Sequence, residues 1–284
     1  MHLEEVGGRE HSPCIVLVGT KTEEAMAEQI EIPRSFPGAG DVAGKRVVIT
    51  GASRGLGRLL AHAFSHAGAR VALVAREEKD LKEVGDELPG PTLVLSGDVT
   101  DEEFNEAVAD GAVAEWGGLD VWIANAGISP IVAGPLETDP SVWRAVLDVN
   151  LTGAFLGARA AARVMGEGGR IIFTGSVLGE RPREGLAAYS ASKAGLVGLA
   201  KGLALDLAPA GITVNVVAPG WFDSPLAQHW KNSPKLAAGV LDHTAQRRWG
   251  DATDLAGAYQ FLASDAASFI TGTVLNVDGG YLLV

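Results

Sequence analysis

The sequence is poor in several features that would assign it a function at once. Cys14 is the only cysteine in 284 residues, which excludes an internal disulfide and any multi-thiolate metal site and suits a reducing compartment. No cluster of Lys and Arg is longer than a pair, and the formal net charge is −12, so the electrostatic footprint of a nucleic-acid binder is missing. No apolar run approaches the ~18 residues needed to span a bilayer. The one apolar run near the start, Cys14 to Val18, is short and flanked by Glu4, Glu5, Glu10, Glu23 and Glu24, unlike the basic flank of a signal peptide. A soluble, cytoplasmic protein without nucleic-acid or membrane partners is expected.

What the chain does have is glycine, 37 residues, and an apolar share of 47 %, which together suit a packed sheet-and-helix protein with many tight turns. Residues 1–40 stand apart. They mix charges and end in Pro33-Arg-Ser-Phe-Pro37-Gly-Ala-Gly40, a linker-like punctuation. This extension is expected to be poorly ordered or wrapped on the surface, with a short strand at 14–18 as one possibility.

From Lys45 onward, short β-branched runs alternate with longer amphipathic stretches. The strands are predicted at 45–50, 70–75, 92–96, 119–124, 169–174, 212–217 and 273–277. The helices are predicted at 56–68, 77–88, 101–116, 139–166, 186–209, 224–243 and 252–264. Continuous apolar strands separated by helices indicate a doubly wound α/β fold, with a parallel seven-stranded sheet covered on both faces in a single domain over 41–284.

Two stretches carry chemistry. The first predicted strand runs into Thr50-Gly51-Ala-Ser53-Arg54-Gly55-Leu56-Gly57. Glycines between an apolar strand and an amphipathic helix allow a tight turn and close backbone approach, and the helix N-terminus offers N–H groups to a pyrophosphate. The second predicted strand ends in Ala75-Arg76, without the carboxylate that meets a free ribose 2′-hydroxyl. Arg54 and Arg76 instead suit a 2′-phosphate, which a planar guanidinium binds through two N–H groups, so NADP(H) is favoured over NAD(H). Asp98 and Val99, past the third strand, fall where an adenine ring would be met.

The other stretch is Gly185–Ala200, in which Tyr189 and Lys193 lie four residues apart on one helical face. A cation near a phenol favours phenolate, so this pair is expected to bring Tyr189 from its ordinary pKa of about 10 toward neutral pH and make it a general acid/base. His62 and His66 also share a face at this spacing, but no third metal ligand is near and a solvated face is the simpler reading.

In order along the chain, Thr50-Gly-x-x-x-Gly-x-Gly57, Asn125-Ala126-Gly127, Asn150, Ser176, Tyr189-x-x-x-Lys193 and Pro219-Gly220 resemble the motifs of a classical short-chain dehydrogenase/reductase. The resemblance covers about 41–284. It implies a Rossmann-type sheet in the order 3-2-1-4-5-6-7 and a reaction that interconverts a ketone and a secondary alcohol by hydride transfer. Tyr189 would exchange the proton with the substrate oxygen and Ser176 would hydrogen-bond it. Lys193 would bind the nicotinamide ribose and lower the Tyr189 pKa, and Asn150 would hold a water linking Lys193 to solvent. Pro219, Gly220, Phe222 and Ser224 would form the loop over the nicotinamide, the backbone near Phe222 meeting its carboxamide. Ala124 stands where many members carry Asn, which is expected to weaken a sheet-bracing contact.

The resemblance further implies a substrate lid at 221–249, where three of the six Trp fall. Trp221, Leu226, Trp230 and Leu178 are candidate walls for a small carbonyl or alcohol substrate, although such rings could equally pack the lid onto the core. Family members usually pair through the helices predicted at 139–166 and 186–209, so a homotetramer or dimer is expected. Enoyl reductases space their Tyr and Lys seven apart, unlike this chain. An alternative from another class is a cofactor-binding redox sensor or scaffold without turnover.

Overall fold

The alternation of β-branched and amphipathic segments builds one parallel sheet with helices on both sides. The structure, a computed structural model, describes residues 16–17, 41–224 and 227–284. Seven strands are β1 (Arg46–Thr50), β2 (Arg70–Ala75), β3 (Thr92–Ser96), β4 (Val121–Ala124), β5 (Arg170–Thr174), β6 (Thr213–Pro219) and β7 (Val274–Val277). They lie in the order 3-2-1-4-5-6-7, all parallel. The carboxyl ends of β1 and β4 are therefore neighbours from which the chain departs in opposite directions, the crevice in which such sheets bind ligands. Val16–Leu17 pair antiparallel with Ile131–Val132, a contact that sequence reading placed no partner for. The rest of the first 40 residues lies outside the described residues, as does the candidate Leu226.

Because strand side chains alternate in direction, each central strand feeds two cores. Val47 and Ile49 of β1 pack with α1 (Gly55–His66) and α9 (Ala252–Ala263), whereas Val48 packs on the other face with α3 (Glu102–Trp116), α5 (Gly153–Val164) and α6 (Ala187–Leu207). Helix ends follow local chemistry. Asp101 accepts from the Phe104 N–H at the start of α3, and Gly117 ends that helix at φ +77°. Asp251 and Asp254 form a reciprocal capping box on α9. Among the described residues no helix is long and apolar enough to cross a membrane.

Two predicted helices are interrupted. The span 139–166 resolves into α4 (Pro140–Leu147), a wider π-helical turn at Asp148–Thr152, and α5. The wide turn carries Asn150, and such bulges break the i to i−4 ladder where a side chain must be re-aimed. The span 224–243 resolves into α7 (Gln228–Lys231) and α8 (Pro234–Asp242), because Pro234 cannot continue a helix but suits the first turn of a new one.

Candidate active site

At the mouth of the sheet, Thr50 ties β1 to β4. Its Oγ1 accepts the backbone N–H groups of Asn125 and Ala126, both at 3.0 Å, and its carbonyl accepts Asn125 Nδ2 at 2.9 Å. Asn125 Oδ1 in turn accepts Thr174 Oγ1 at 3.3 Å, so β1, β4 and β5 are braced through Asn125 despite Ala124. Immediately after β1 the glycines are sterically required. Gly51 has φ +69° and Gly55 φ +56°, and a β-carbon on Gly57 would lie 2.0 Å from the Gly51 carbonyl oxygen. Arg54 sits at the N-cap of α1 without a side-chain cap, so the first-turn N–H groups keep no partner from that side chain, unlike those of α3 and α9.

This bare N-terminus beside a glycine cradle fits a dinucleotide pyrophosphate. Ser53 and Leu56 are half-buried in the turn, with Leu56 packed on the core. Arg54 and Arg76 are exposed, and among the described residues neither side chain makes a hydrogen bond or ion pair. Glu78 does not neutralise Arg76, because it pairs with Lys82 at 2.7 Å. Asp98 Oδ1 accepts from the Thr100 N–H at 2.9 Å and its hydroxyl at 2.8 Å, which fixes the carboxylate at the end of β3, and Val99 beside it is buried.

The four candidate catalytic residues converge at the carboxyl ends of β4 and β5. Ser176 follows β5 and caps the short helix Val177–Gly179, its Oγ accepting from the Leu178 N–H at 3.1 Å. The same side chain lies close enough to the Tyr189 phenol to draw its pKa down. Lys193, one turn along α6, is buried with its Nζ donating to the Thr174 carbonyl at 2.7 Å and lying 5.6 Å from the Tyr189 ring centre. Asn150 is pinned by its wide turn: Oδ1 accepts from the Ile128 N–H at 2.7 Å, and Nδ2 donates to the Ile128 carbonyl and to Ser192 Oγ, each at 3.0 Å. A β-carbon on Gly127 would stand 3.3 Å from Asn150 Oδ1 and 3.5 Å from Lys193 Nζ, so this glycine lets the two approach.

The electrostatics correct one expectation. Burial pushes the Tyr189 phenol above its usual range, and the nearby Ser176 side chain opposes this only in part. Lys193 does not produce a lowered phenol here, since its ammonium is drawn to the Thr174 carbonyl and is itself lowered by burial to about 8. A neutral phenol beside a buried ammonium is a proton donor in waiting. Sequence reading also missed Thr174 and Tyr259. The Tyr259 hydroxyl and Thr174 Oγ1 share a 2.8 Å hydrogen bond beneath Lys193, and only their places on β5 and a late helix could have hinted at it. His62 is not on a solvated face: it is buried and hydrogen-bonded to Glu87 at 3.0 Å.

On the far side of Tyr189 the structure gathers a third apolar cluster that contains no strand. Val177, Leu178, Leu186, Trp221, Trp230, Val240 and Tyr281 form it, with Tyr189 and Trp249 packed against it. Trp221 is the hub, 5.2 Å from Trp230, 6.0 Å from Trp249 and 6.2 Å from Tyr281 between ring centres. The candidate wall residues Leu178, Trp221 and Trp230 are thus brought together. Phe222 points the other way, into the core of α1 and α9, while its backbone bridges Gly250. Pro219 ends β6, the Gly220 N–H donates to the Val277 carbonyl at 2.8 Å, and the Ser224 carbonyl accepts from Ala227 at 2.9 Å. Tyr189 also lines a groove of about 280 Å³ between the 129–131 segment, α4 and the first turn of α6.

Comparison with known proteins agrees with this geometry. A family model described as Enoyl-(Acyl carrier protein) reductase matches residues 51–282. The 3-oxoacyl-(acyl-carrier-protein) reductase FabG of Salmonella typhimurium is 39 % identical over 243 residues, 85 % of this chain and 98 % of that protein. A dehydrogenase/reductase from Sinorhizobium meliloti 1021 superposes with a TM-score of 0.79 at 38 % identity, covering 85 % of this chain and 96 % of the other. A short chain dehydrogenase from Burkholderia cenocepacia J2315 in complex with NADP gives 0.79 at 34 % identity, covering 85 % and 99 %. With the sheet order, the glycine cradle and the Ser176–Tyr189 contact, these likenesses place the chain in the classical short-chain dehydrogenase/reductase family, whose members are NAD(P)-dependent alcohol dehydrogenases and carbonyl reductases.

Proposed function

We propose that the protein interconverts a ketone and a secondary alcohol with NADP(H) in preference to NAD(H), and that Tyr189 is its general acid/base. The observation that carries this reading is the convergence of Ser176, Tyr189 and the buried Lys193 at the carboxyl end of β5. When bound, the nicotinamide supplies or takes the hydride. Gly51, Gly55 and Gly57 would hold the pyrophosphate, Lys193 the nicotinamide ribose, and Arg54 and Arg76 a 2′-phosphate.

In the reducing direction the carbonyl oxygen gains negative charge, which requires a donor and a proton at that atom. Ser176 Oγ donates a hydrogen bond to it and Tyr189 Oη gives it the phenolic proton. Burial keeps that proton on Tyr189 at neutral pH, ready for transfer. The phenolate left behind would sit near the Lys193 ammonium, whose Nζ lies 5.6 Å from the Tyr189 ring centre and stays charged below its pKa of about 8. Asn150, by holding both backbone groups of Ile128, keeps Gly127 and the Lys193 side of the site in place. Oxidation runs the same steps backward.

The Tyr189-to-Lys193 interval of four separates this chain from enoyl reductases, whatever the description of the matching family model. The NADP-bound neighbour supports the cofactor reading, as do the two unpaired guanidiniums. We place the enzyme in the cytoplasm as a homotetramer or dimer, as the family resemblance implies; Phe155 on α5 and Leu205 on α6 are exposed apolar side chains on the helices expected to pair. The deciding experiment follows 340 nm absorbance over a panel of ketones and alcohols with both cofactors, for wild type and Tyr189→Phe. Turnover in the variant falls by ~10²–10⁴ while NADPH still binds. Near-normal turnover would remove Tyr189 from the mechanism.

A further inference from the structure

Two arginines stand two residues apart on the loop that leads into α6, and the fold uses them differently. Arg181 is spent on structure. One of its terminal nitrogens donates to the Tyr281 carbonyl at 2.8 Å and to the Val284 carbonyl oxygen, and its guanidinium lies 5.2 Å over the Tyr281 ring. Arg183 donates only through Nε, to the Tyr281 hydroxyl at 3.1 Å. Its guanidinium stacks 5.2 Å from the Trp221 ring centre and 5.9 Å from that of Tyr281. Among the described residues Nη1 and Nη2 have no acceptor, and neither Glu180 nor Glu184 pairs with them.

The rings that hold this cation belong to the cluster on which Tyr189 packs. Trp221 adds a second unanswered donor: its Nε1 is buried and has no acceptor among the described residues. A guanidinium whose outer edge is free, oriented by two rings and a phenol, is preorganised to meet two oxygens in one plane. In a chain of net charge −12 most other guanidiniums near a carboxylate are neutralised by it, as Arg46 is by Asp120 and Arg248 by Asp254. Arg183 is left as a fixed cation beside an apolar, aromatic wall.

We propose that Arg183 is a specificity-determining residue that receives the carboxylate of an oxo acid or hydroxy acid whose carbonyl or carbinol end meets Tyr189. Tyr281 and Trp221 are positioning residues for it. The planar Nη1/Nη2 edge matches a single carboxylate, and one guanidinium among apolar side chains suits a monoanion better than a phosphate dianion. The inference rests on the ketone reductase reading above and names its substrate class.

The test is steady-state reduction with NADPH of oxo acids and their own methyl esters, for example 4-oxopentanoate with methyl 4-oxopentanoate and 4-oxocyclohexanecarboxylate with its ester. Wild type should prefer the acid by about tenfold or more in kcat/KM, the scale of one charged hydrogen-bonding contact. Arg183→Gln should erase that preference through KM of the acid while leaving the ester within about twofold, since only the acid uses the charge. Arg183→Lys should restore part of it, and Tyr281→Phe should narrow it. Equal rates for acid and ester in wild type would overturn the proposal, as would an equal loss on both substrates in Arg183→Gln, which marks a brace for the C-terminal turn. If Arg183→Gln does not fold, the wild-type ratio and Arg183→Lys decide. Turnover of esters and neutral ketones without preference for acids removes the carboxylate subsite alone; no turnover of any carbonyl removes the reductase reading with it.

Discussion

The two halves of the site are built by opposite means. On the cofactor side the backbone does the shaping: α1 can start where it does because Gly57 leaves the Gly51 carbonyl room, and its first turn carries no side-chain cap, which leaves N–H groups facing the cradle. On the substrate side there is no strand and no glycine cradle; side chains from the 177–186 loop, the lid helices and the C-terminal turn meet around Trp221. A backbone cradle spans a few consecutive residues and tolerates almost no added atom. A side-chain cluster assembled from distant segments can exchange its parts one at a time. Under the proposed function, this difference would let one cofactor cradle serve many substrates, with the 219–224 loop, which carries Trp221, as the part the two halves share.

The sharpest way to break that separation is Trp221→Ala. Removing the hub ring should cost about 3–5 kcal/mol of stability, the usual range for a buried aromatic cut to Ala. The lower end is expected, because the buried Trp221 Nε1 already lacks a partner. Thermal unfolding should show a loss of roughly 2–4 °C per kcal/mol for a chain of this size. The NADPH dissociation constant, measured on the folded variant by titration, should change by no more than about tenfold, since Gly51, Gly55 and Gly57 stay in place and only the 219–224 loop carries the lost ring. A parallel collapse of cofactor affinity would show that the two halves are one unit.

The next effect tests where the halves meet, at Lys193. Burial lowers its folded-state pKa to about 8 from an ordinary 10.5, so between those values the unfolded chain holds a proton that the folded chain has released. Stability should therefore rise with pH across this window, by up to about 3 kcal/mol, and below pH 8 the whole cost of burying the ammonium should be present. Urea melts of the cofactor-free protein at pH 7.5 and pH 10, for wild type and Lys193→Met, isolate the term. The wild-type rise should exceed that of the variant. Equal slopes would mean that the ammonium is solvated, and that Tyr189 owes nothing to a buried charge.

This same contrast sets how much could be read from the sequence. The seven strands were legible because each is a short apolar run whose period and flanking helices are local, and the cradle because its glycines are sequential, whereas the strand order came only through the family resemblance. Ser176, Tyr189, Lys193 and Asn150 were legible by resemblance and by the four-residue spacing. The π turn under Asn150 was not, since Asp148–Thr152 reads as ordinary helix and only the packing against Ile128 and Ser192 requires the wider turn. The direction of the Tyr189 shift was misread because spacing brings a cation near but does not say that Thr174 will hold it. Tyr259, Tyr281 and Arg183 carry no local signal at all; Tyr259 meets Thr174 across 85 residues of chain, and Arg183 meets Tyr281 across 98.

The smallest effect concerns the outer rim of the cofactor side, where charge adds selectivity to the cradle. Arg54 and Arg76 are exposed and unpaired among the described residues, and both stand at the ends of the elements that flank the proposed 2′-phosphate. Replacing Arg76 with Asp places a carboxylate at the end of β2, where it can accept from a ribose hydroxyl and repel a phosphate. The ratio of kcat/KM for NADPH over NADH should then fall by about tenfold or more, with kcat on the preferred cofactor little changed. Because exposed charges are screened over roughly 8–10 Å at physiological salt, the wild-type preference should itself shrink as ionic strength rises, whereas binding to the glycine cradle through N–H groups should not. An NADPH preference that ignores both salt and Arg76→Asp would mean that the selectivity is written in the shape of the cradle, and the backbone would then govern the cofactor half entirely.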